Sequence, residues 1–300
     1  ASLLNETDGL IATNDGKIYK TTNLGDNWNE VYSGSNSINK LKKQGGGNLI
    51  LGVGDGGTIK KSTDNGSTWT SPTSPSLIDK LNDLYIKDNR IVIVGDKGIT
   101  LKSTDGGDNF VVTDVNVLIP LYKGFIQSEG GWFIIADGKM FKSTNGGETW
   151  QVVLDQSKIK TGDWVNSNIG YASGSEGFLQ KTTNSGNSWI DKSIGTNRNV
   201  SNIKYRNSGS LSKRFNLYKV QNGTEYLIIL YIDNSSNQQV LAKSSDDGNS
   251  WTTIRTVSSS SNEITKDYTF GGNNLFVCTK DGKVLKSTNY GTNWTTTTFT

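Results

Sequence analysis

Short apolar runs with a period of two recur along the whole chain, separated by polar segments that contain glycine. A period of two places alternate side chains on opposite faces of a strand, so the pattern predicts β-structure throughout. Residues 38–69 show the plan most clearly: Ile38 to Leu41, Asn48 to Gly54, Thr58 to Ser62 and Thr68 onward read as four successive strands. Between the second and third strands of each such group lies hairpin chemistry. The turns are Asp15-Gly16, Asp55-Gly56-Gly57, Asp96-Lys97-Gly98, Asp137-Gly138, Glu176-Gly177 and Asp281-Gly282, with Asn234 to Asn237 in the sixth group. Glycine in such turns accepts the positive φ that a tight hairpin requires.

After the third strand of each group a box recurs: Lys, then Ser or Thr, any residue, Asp or Asn, any residue, Gly, two further residues, and an aromatic. Seven copies end at Trp28, Trp69, Phe110, Trp150, Trp189, Trp251 and Trp294, with spacings of 41, 41, 40, 39, 62 and 43 residues. A period near 40 points to a propeller blade or a solenoid turn, and strand periodicity with seven units points to seven blades. The expected fold is all-β: one seven-bladed β-propeller over residues 1–300, made of four-stranded antiparallel blades. Box turns fall near 21–28, 62–69, 103–110, 143–150, 182–189, 244–251 and 287–294. Within each box the acid or amide, Asn23, Asp64, Asp105, Asn145, Asn184, Asp246 or Asn289, is expected to accept hydrogen bonds from turn amides while the aromatic buries its ring. Ser2 to Asn5 and Trp294 to Thr300 supply the first and last strands, so the ring is expected to close without a swapped strand.

Composition adds exclusions. Asn, Ser, Thr and Gly are abundant and proline is scarce, which suits many short strands and tight turns. A net charge of +3 from 31 basic and 28 acidic residues indicates no nucleic-acid partner. No apolar run approaches the ~18 residues of a membrane-spanning helix. Cys278 stands alone, so no internal disulfide is available. Ala1 to Asn5 lack the basic start and apolar core of a signal peptide, which fits a chain without one or a trimmed one. The Asn-x-Ser/Thr sequons of this Asn-rich chain carry no weight.

The boxes resemble the Asp-box or BNR repeats of sialidases, some glycosidases, sortilin-type receptors and photosystem II assembly-factor propellers. The resemblance covers the whole chain. The segment GYASGSEGFLQKTTNSGNSW, Gly170 to Trp189, is most similar to the short repeats of the assembly-factor type, which also build single seven-bladed propellers. Such repeats are shared by many unrelated proteins, so the resemblance speaks to fold more than to function.

Catalytic chemistry is sparse. Histidine is absent, which excludes Ser-His-Asp and Cys-His nucleophile systems and histidine metal sites. The resemblance to sialidases would imply three arginines converging on a carboxylate, a nucleophilic Tyr with its Glu, and an Arg-Ile-Pro type motif near the start. The chain has five arginines, Arg90, Arg198, Arg206, Arg214 and Arg255, and none before residue 90, so sialidase activity is not expected. The turn acids Asp15, Asp55, Asp96, Asp137, Glu176 and Asp281 recur too regularly to be a catalytic pair and read as turn residues. The box lysines Lys20, Lys61, Lys102, Lys142, Lys181, Lys243 and Lys286 read as stems packed between blades with heads directed outward. No metal site and no cofactor are expected.

Departures from the repeat are the better guide to function. The 62-residue spacing is assigned to a loop insertion at 190–214, between the fourth strand of the fifth blade and the first of the sixth, with Phe215 to Asn222 and Thr224 to Asp233 as that blade's first two strands. Such connections share an end with the hairpin turns. The insertion carries Lys192, Arg198, Lys204, Tyr205, Arg206, Lys213 and Arg214. Trp132 and Trp164 are tryptophans outside the boxes; burial is expected for Trp132, while Trp164 is a candidate stacking residue. The reading is a non-enzymatic binding or scaffold propeller presenting one face to a protein or glycan partner, through Arg198, Tyr205, Arg206, Arg214 and Trp164. A secreted, surface or virion setting is favoured over the cytoplasm. The alternatives are a glycoside hydrolase or lyase with paired carboxylates at the channel mouth, and an assembly-factor-like chaperone platform for a membrane complex.

Overall fold

The computed structural model describes residues 2–5, 7–23, 25–128, 131–193, 198–206, 226–233, 235–246, 249–271, 274–289 and 291–298. The chain forms two compact units, Ala1–Ser157 and Lys158–Thr300. The first unit holds four sheets: β1 (Ser2–Leu3), β2 (Gly9–Ala12), β3 (Lys17–Thr21) and β4 (Asn29–Ser33); β5 (Ile38–Lys43), β6 (Ile50–Gly54) and β7 (Ile59–Ser62); β8 (Leu81–Lys87), β9 (Arg90–Gly95), β10 (Ile99–Ser103) and β11 (Val111–Asp114); β12 (Leu121–Ile126), β13 (Trp132–Ala136), β14 (Lys139–Ser143) and β15 (Gln151–Asp155). The second unit holds three: β16 (Ile159–Trp164), β17 (Gly170–Gly174), β18 (Leu179–Thr182) and β19 (Ile190–Asp191); β20 (Arg198–Arg206), β21 (Tyr226–Asp233), β22 (Gln238–Ser244) and β23 (Thr252–Ser258); β24 (Thr265–Gly271), β25 (Asn274–Thr279), β26 (Lys283–Ser287) and β27 (Thr295–Thr298). Every sheet is an antiparallel meander. No helix among the described residues is long and apolar enough to cross a membrane.

The period of two sorts side chains between neighbouring sheets. Along β6, Ile50 joins Leu10 and Ile18 of the first sheet, while Leu51 and Val53 join Leu84 and Ile93 of the third. Along β9, Ile91 and Ile93 face back to the second sheet and Val92 and Val94 face forward to Ile134 and Phe141 of the fourth. Second strands are therefore buried on both faces, as in β6, β13 and β17. Each fully buried Leu or Ile contributes roughly 1.5–3 kcal/mol by removal from water, so these seams hold the sheets face to face. Fourth strands are solvated: Val111, Val112, Val152 and Ile190 are about half exposed.

Three expectations change. The second sheet has three strands, because only Thr70 bridges back to Lys61 before the chain crosses to the third sheet, where Thr73 pairs with Asn109. Pro72 and Pro75 cannot donate to a ladder and so end the expected fourth strand. The 190–214 segment is not one loop: Ile190–Asp191 is the fourth strand of the fifth sheet and Arg198–Arg206 is the first strand of the sixth, registered on Tyr226–Asp233. The surplus of that repeat thus falls in the sequence at 207–225, between first and second strands, outside the described residues. Phe215 to Asn222, expected as the first strand, lies outside the described residues. The box tryptophans, expected in the core, are half-buried, and Trp69, Trp150, Trp251 and Trp294 rest against the seams; among the box aromatics only Phe110 is fully buried.

Candidate functional site

A meander has two ends, and the repeats treat them differently. At one end lie the box turns, built by a single hydrogen-bond plan. In the second sheet the Ser62 hydroxyl closes the third strand, donating to Asp64 Oδ1 at 2.8 Å and accepting from the Gly66 amide at 2.8 Å. Asp64 Oδ1 then accepts the Ser67 and Thr68 amides at 3.0 and 2.9 Å, and Oδ2 accepts the Thr68 hydroxyl at 2.7 Å. The same side chains repeat at Ser103 and Asp105, Ser143 and Asn145, Thr182 and Asn184, Ser244 and Asp246, Ser287 and Asn289, and Thr21 and Asn23. The expected role of the acid or amide as acceptor of turn amides is seen in each. Stacked donors favour the ionised carboxylate, so backbone and hydroxyl donors from Thr68 hold Asp64 at about 2, and the Ser250 donors hold Asp246 at about 2. Asp105 is held lower still by Asn109 and Ser103.

The box glycine is needed twice over. Gly66 has φ +79°, and a Cβ there would sit 2.7 Å from Leu10 Cδ1 of the first sheet. The aromatic closes the turn, and Trp28 Nε1 donates to Gly25 O at 3.1 Å.

The box lysines depart from the outward reading. Lys20 Nζ donates to Ser67 Oγ at 3.1 Å, Lys61 Nζ meets Asp108 Oδ1 at 2.6 Å, and Lys102 Nζ pairs with Glu148. Each acceptor is the seventh residue of the next sheet's box. The lysine head therefore bonds sideways, stitching one sheet to the next. Elsewhere Lys142, Lys181 and Lys286 lie over Phe133, Tyr171 and Phe276 at 5.7 to 5.8 Å, each ring on the adjacent second strand. The sequence signal for the stitch is the polar seventh box residue, Ser67, Asp108 or Glu148.

At the other end lie the hairpins and the connections between sheets. The turn glycines and their neighbours take positive φ as the sequence predicts: Gly16, Gly56, Gly57, Lys97, Gly98, Gly138, Glu176, Gly177 and Gly282, with Asn237 in the sixth turn. A feature hidden from the sequence is a bulge near the start of the first strand, at its second residue between Ile38 and Lys40, Leu81 and Asp83, Leu121 and Lys123, Ile159 and Thr161, and Thr265 and Asp267, and at its fourth between Val200 and Asn202. The bulge re-aims that side chain. Asn39 Nδ2 donates to Asp55 Oδ1 at 2.8 Å and to Leu81 O at 3.0 Å, and Asn82 Nδ2 repeats the pattern with Asp96 and Leu121. Lys40 lies 3.3 Å from Asp83, Lys97 2.7 Å from Asp79, and Lys158 2.7 Å from Glu176. Asp15 is held below its ordinary value by the Thr13 hydroxyl, and Asp281 by Lys283 and Thr279. These acids are occupied in shaping and pinning turns.

The candidate binding residues divide between the two ends of the sheets. Arg198 and Arg206 stand at opposite ends of β20, eight residues or about 26 Å apart along an extended strand. Tyr205 adjoins Arg206 at the box-turn end, opposite Leu227. Arg214 lies outside the described residues. Trp164 ends β16 opposite Gly170, also at the box-turn end. Its ring covers Gly170, where a Cβ would approach Trp164 Cε3 to 2.3 Å, and meets Trp189 edge-on at 6.1 Å. Trp164 thus fills a gap beside a box turn rather than offering a free face. Trp132 is buried as expected, at 1% exposure.

No protein-family model and no curated protein matches the sequence. Solved structures do. "YCF48 bound to D1 peptide" aligns at 17% identity and TM-score 0.60, covering 83% of this chain and 78% of the other. The WD40 β-propeller domain of Doa1 aligns at 11% identity and TM-score 0.64, covering 94% and 88%. The GH74 xyloglucanase from Xanthomonas campestris aligns at 12% identity and TM-score 0.59 over 86% of this chain, which spans 46% of that one. Identities this low carry the architecture and not the activity. On that architecture, the antiparallel sheets and the repeated turns, the chain is similar to YCF48 and the GH74 propellers and has the β-propeller fold.

Proposed function

We propose that the protein is a non-enzymatic binding propeller of seven Asp-box blades that presents its hairpin-turn end to a protein partner. The observation that carries this reading is the division of labour between the two ends. One end repeats the same hydrogen bonds in every box and is occupied with folding. The other keeps the turn geometry while its connections differ from sheet to sheet, which is how a rigid scaffold carries recognition. A structural neighbour, YCF48, is described with a bound D1 peptide, which supports a protein rather than a glycan as the partner class. Against glycoside hydrolysis stands the state of two of the hairpin-turn carboxylates. A general acid needs a raised carboxyl, whereas the turn acids Asp15 and Asp281 are displaced downward by their hydroxyl and lysine partners.

Two assays test the proposal together. Fluorogenic sialosides and xyloglucan oligosaccharides are expected to remain unhydrolysed, and crosslinks to any co-purifying protein are expected on hairpin turns and sheet-to-sheet connections. Turnover abolished by one carboxylate-to-amide substitution would overturn it, as would crosslinks confined to box turns.

A further inference from the structure

Ile78 and Leu118 are each 88% exposed, far beyond the half-exposed valines of the outer strands. Isolated apolar residues on a surface are ordinary. These two are not independent, because they occupy the same place in consecutive connections: each stands three residues before the buried residue, Leu81 or Leu121, that opens the next sheet's first strand. The same place elsewhere holds Ser35 before Ile38, Gln156 before Ile159 and Asn262 before Thr265.

Both connections are held firmly. Leu77 packs on the seam between the second and third sheets, and Val117 and Ile119 on the seam between the third and fourth. The backbone is tied down by the Gly57 amide to Asp79 O at 2.9 Å, the Asp96 amide to Lys80 O at 2.9 Å and the Asp137 amide to Pro120 O at 3.3 Å. Neighbours folded inward on a pinned backbone leave Ile78 and Leu118 displayed rather than flexible. Of the acids nearby, Asp79 pairs with Lys97 and Asp55 with Lys80, while Asp96 accepts a hydrogen bond from the Asn82 amide. With two of these three acids already paired, the exposed anchors themselves carry no charge to attract a charged ligand, and branched aliphatic side chains offer a sugar neither a ring to stack on nor a donor.

We propose that this end of the second and third sheets docks an extended, uncharged, apolar segment of a partner protein, anchored at Ile78 and Leu118. Packed sheets lie about 10 Å apart, the reach of about three extended residues, so one segment spans both anchors. The inference rests on the binding function proposed above and names its partner chemistry.

The test is a display selection of random twelve-residue peptides on the intact chain, followed by affinity measurement with the enriched peptides made synthetically. Enrichment of uncharged, apolar sequences is expected, with affinity insensitive to salt. Ile78→Ser and Leu118→Ser are each expected to weaken binding about tenfold and together about a hundredfold with an unchanged melting temperature. Val111→Thr with Val152→Thr is expected to leave it unaltered. Enriched peptides that bind the double variant as well as the parent overturn this site while leaving the binding function standing. Enrichment of charged, salt-sensitive peptides overturns the partner chemistry. Dimerisation lost in the double variant assigns the pair to a second copy and overturns the inference. If no peptide enriches, the inference fails, and crosslinking then decides the binding function separately.

Discussion

The second sheet shows the contrast between the ends of a repeat within some twenty residues. At its box turn, Ser62, Asp64, Gly66 and Thr68 form a closed set of short hydrogen bonds that reappears in the other boxes, and Gly66 fits against the first sheet. In the connection that follows, Leu77 goes into the seam and Ile78 goes into solvent, an arrangement shared with the 117–118 pair and with no other connection whose residues are described. Position along the repeat therefore separates what folds the protein from what is free to differ. Changes at the box turns should cost stability, and changes at the displayed connection residues should not.

The largest effect is expected at the box glycine. Gly66→Val combines a left-handed backbone with a collision on Leu10 and should lower stability by about 3 kcal/mol, read as a shifted denaturation midpoint. A midpoint within error of the parent would remove the glycine from the account. Next comes the acceptor. Asp64→Ala strands turn amides and should lose about 1 to 3 kcal/mol, whereas Asp64→Asn, which reproduces the Asn145 box, should lose under about 1 kcal/mol at neutral pH.

Acid sharpens the distinction between Asp and Asn boxes. Asp64 and Asp246 are held at about 2, below the ordinary 3.8, so the folded state binds fewer protons than the unfolded one as pH falls. Their contribution is fully present above 3.8 and is lost on acidification toward 2. Asp64→Asn combined with Asp246→Asn should flatten that part of the stability profile, measured by chemical denaturation across the acid range. An unaltered slope would mean that other carboxylates govern acid unfolding.

A smaller effect is expected at the stitch. Lys61→Met keeps the stem and removes the bond to Asp108, and with an exposed partner the loss should be about 0.5 kcal/mol, reduced by salt. The smallest belongs to Ile78→Ser, within about 0.5 kcal/mol of the parent.

Much of this was legible in the sequence because it is local. The box closes its own hydrogen bonds within five residues, and the hairpin glycines answer a backbone requirement two residues wide. The errors came where distant pairing decides. The apolar look of 215–222 suggested a first strand, but Tyr226–Asp233 pairs instead with the polar segment Arg198–Arg206, and that choice of register separates Arg198 from Arg206. Asn39 and Asn82 could not be recognised as sheet-to-sheet ties, since a bulge appears only once two strands are aligned. Pro72 and Pro75 mark in the sequence itself where the expected fourth strand of the second sheet ends. The lysine stitch depends on a neighbour about forty-seven residues away.

The most direct measurement compares Asp64→Ala with the Ile78→Ser and Leu118→Ser pair on one preparation, recording the melting curve and the affinity for a selected peptide. The account predicts that the box variant melts earlier while its folded fraction binds with parental affinity, and that the double variant melts with the parent and binds about a hundredfold more weakly. A box variant that melts normally but loses binding, or a double variant that unfolds early, would contradict the separation of folding and recognition between the two ends.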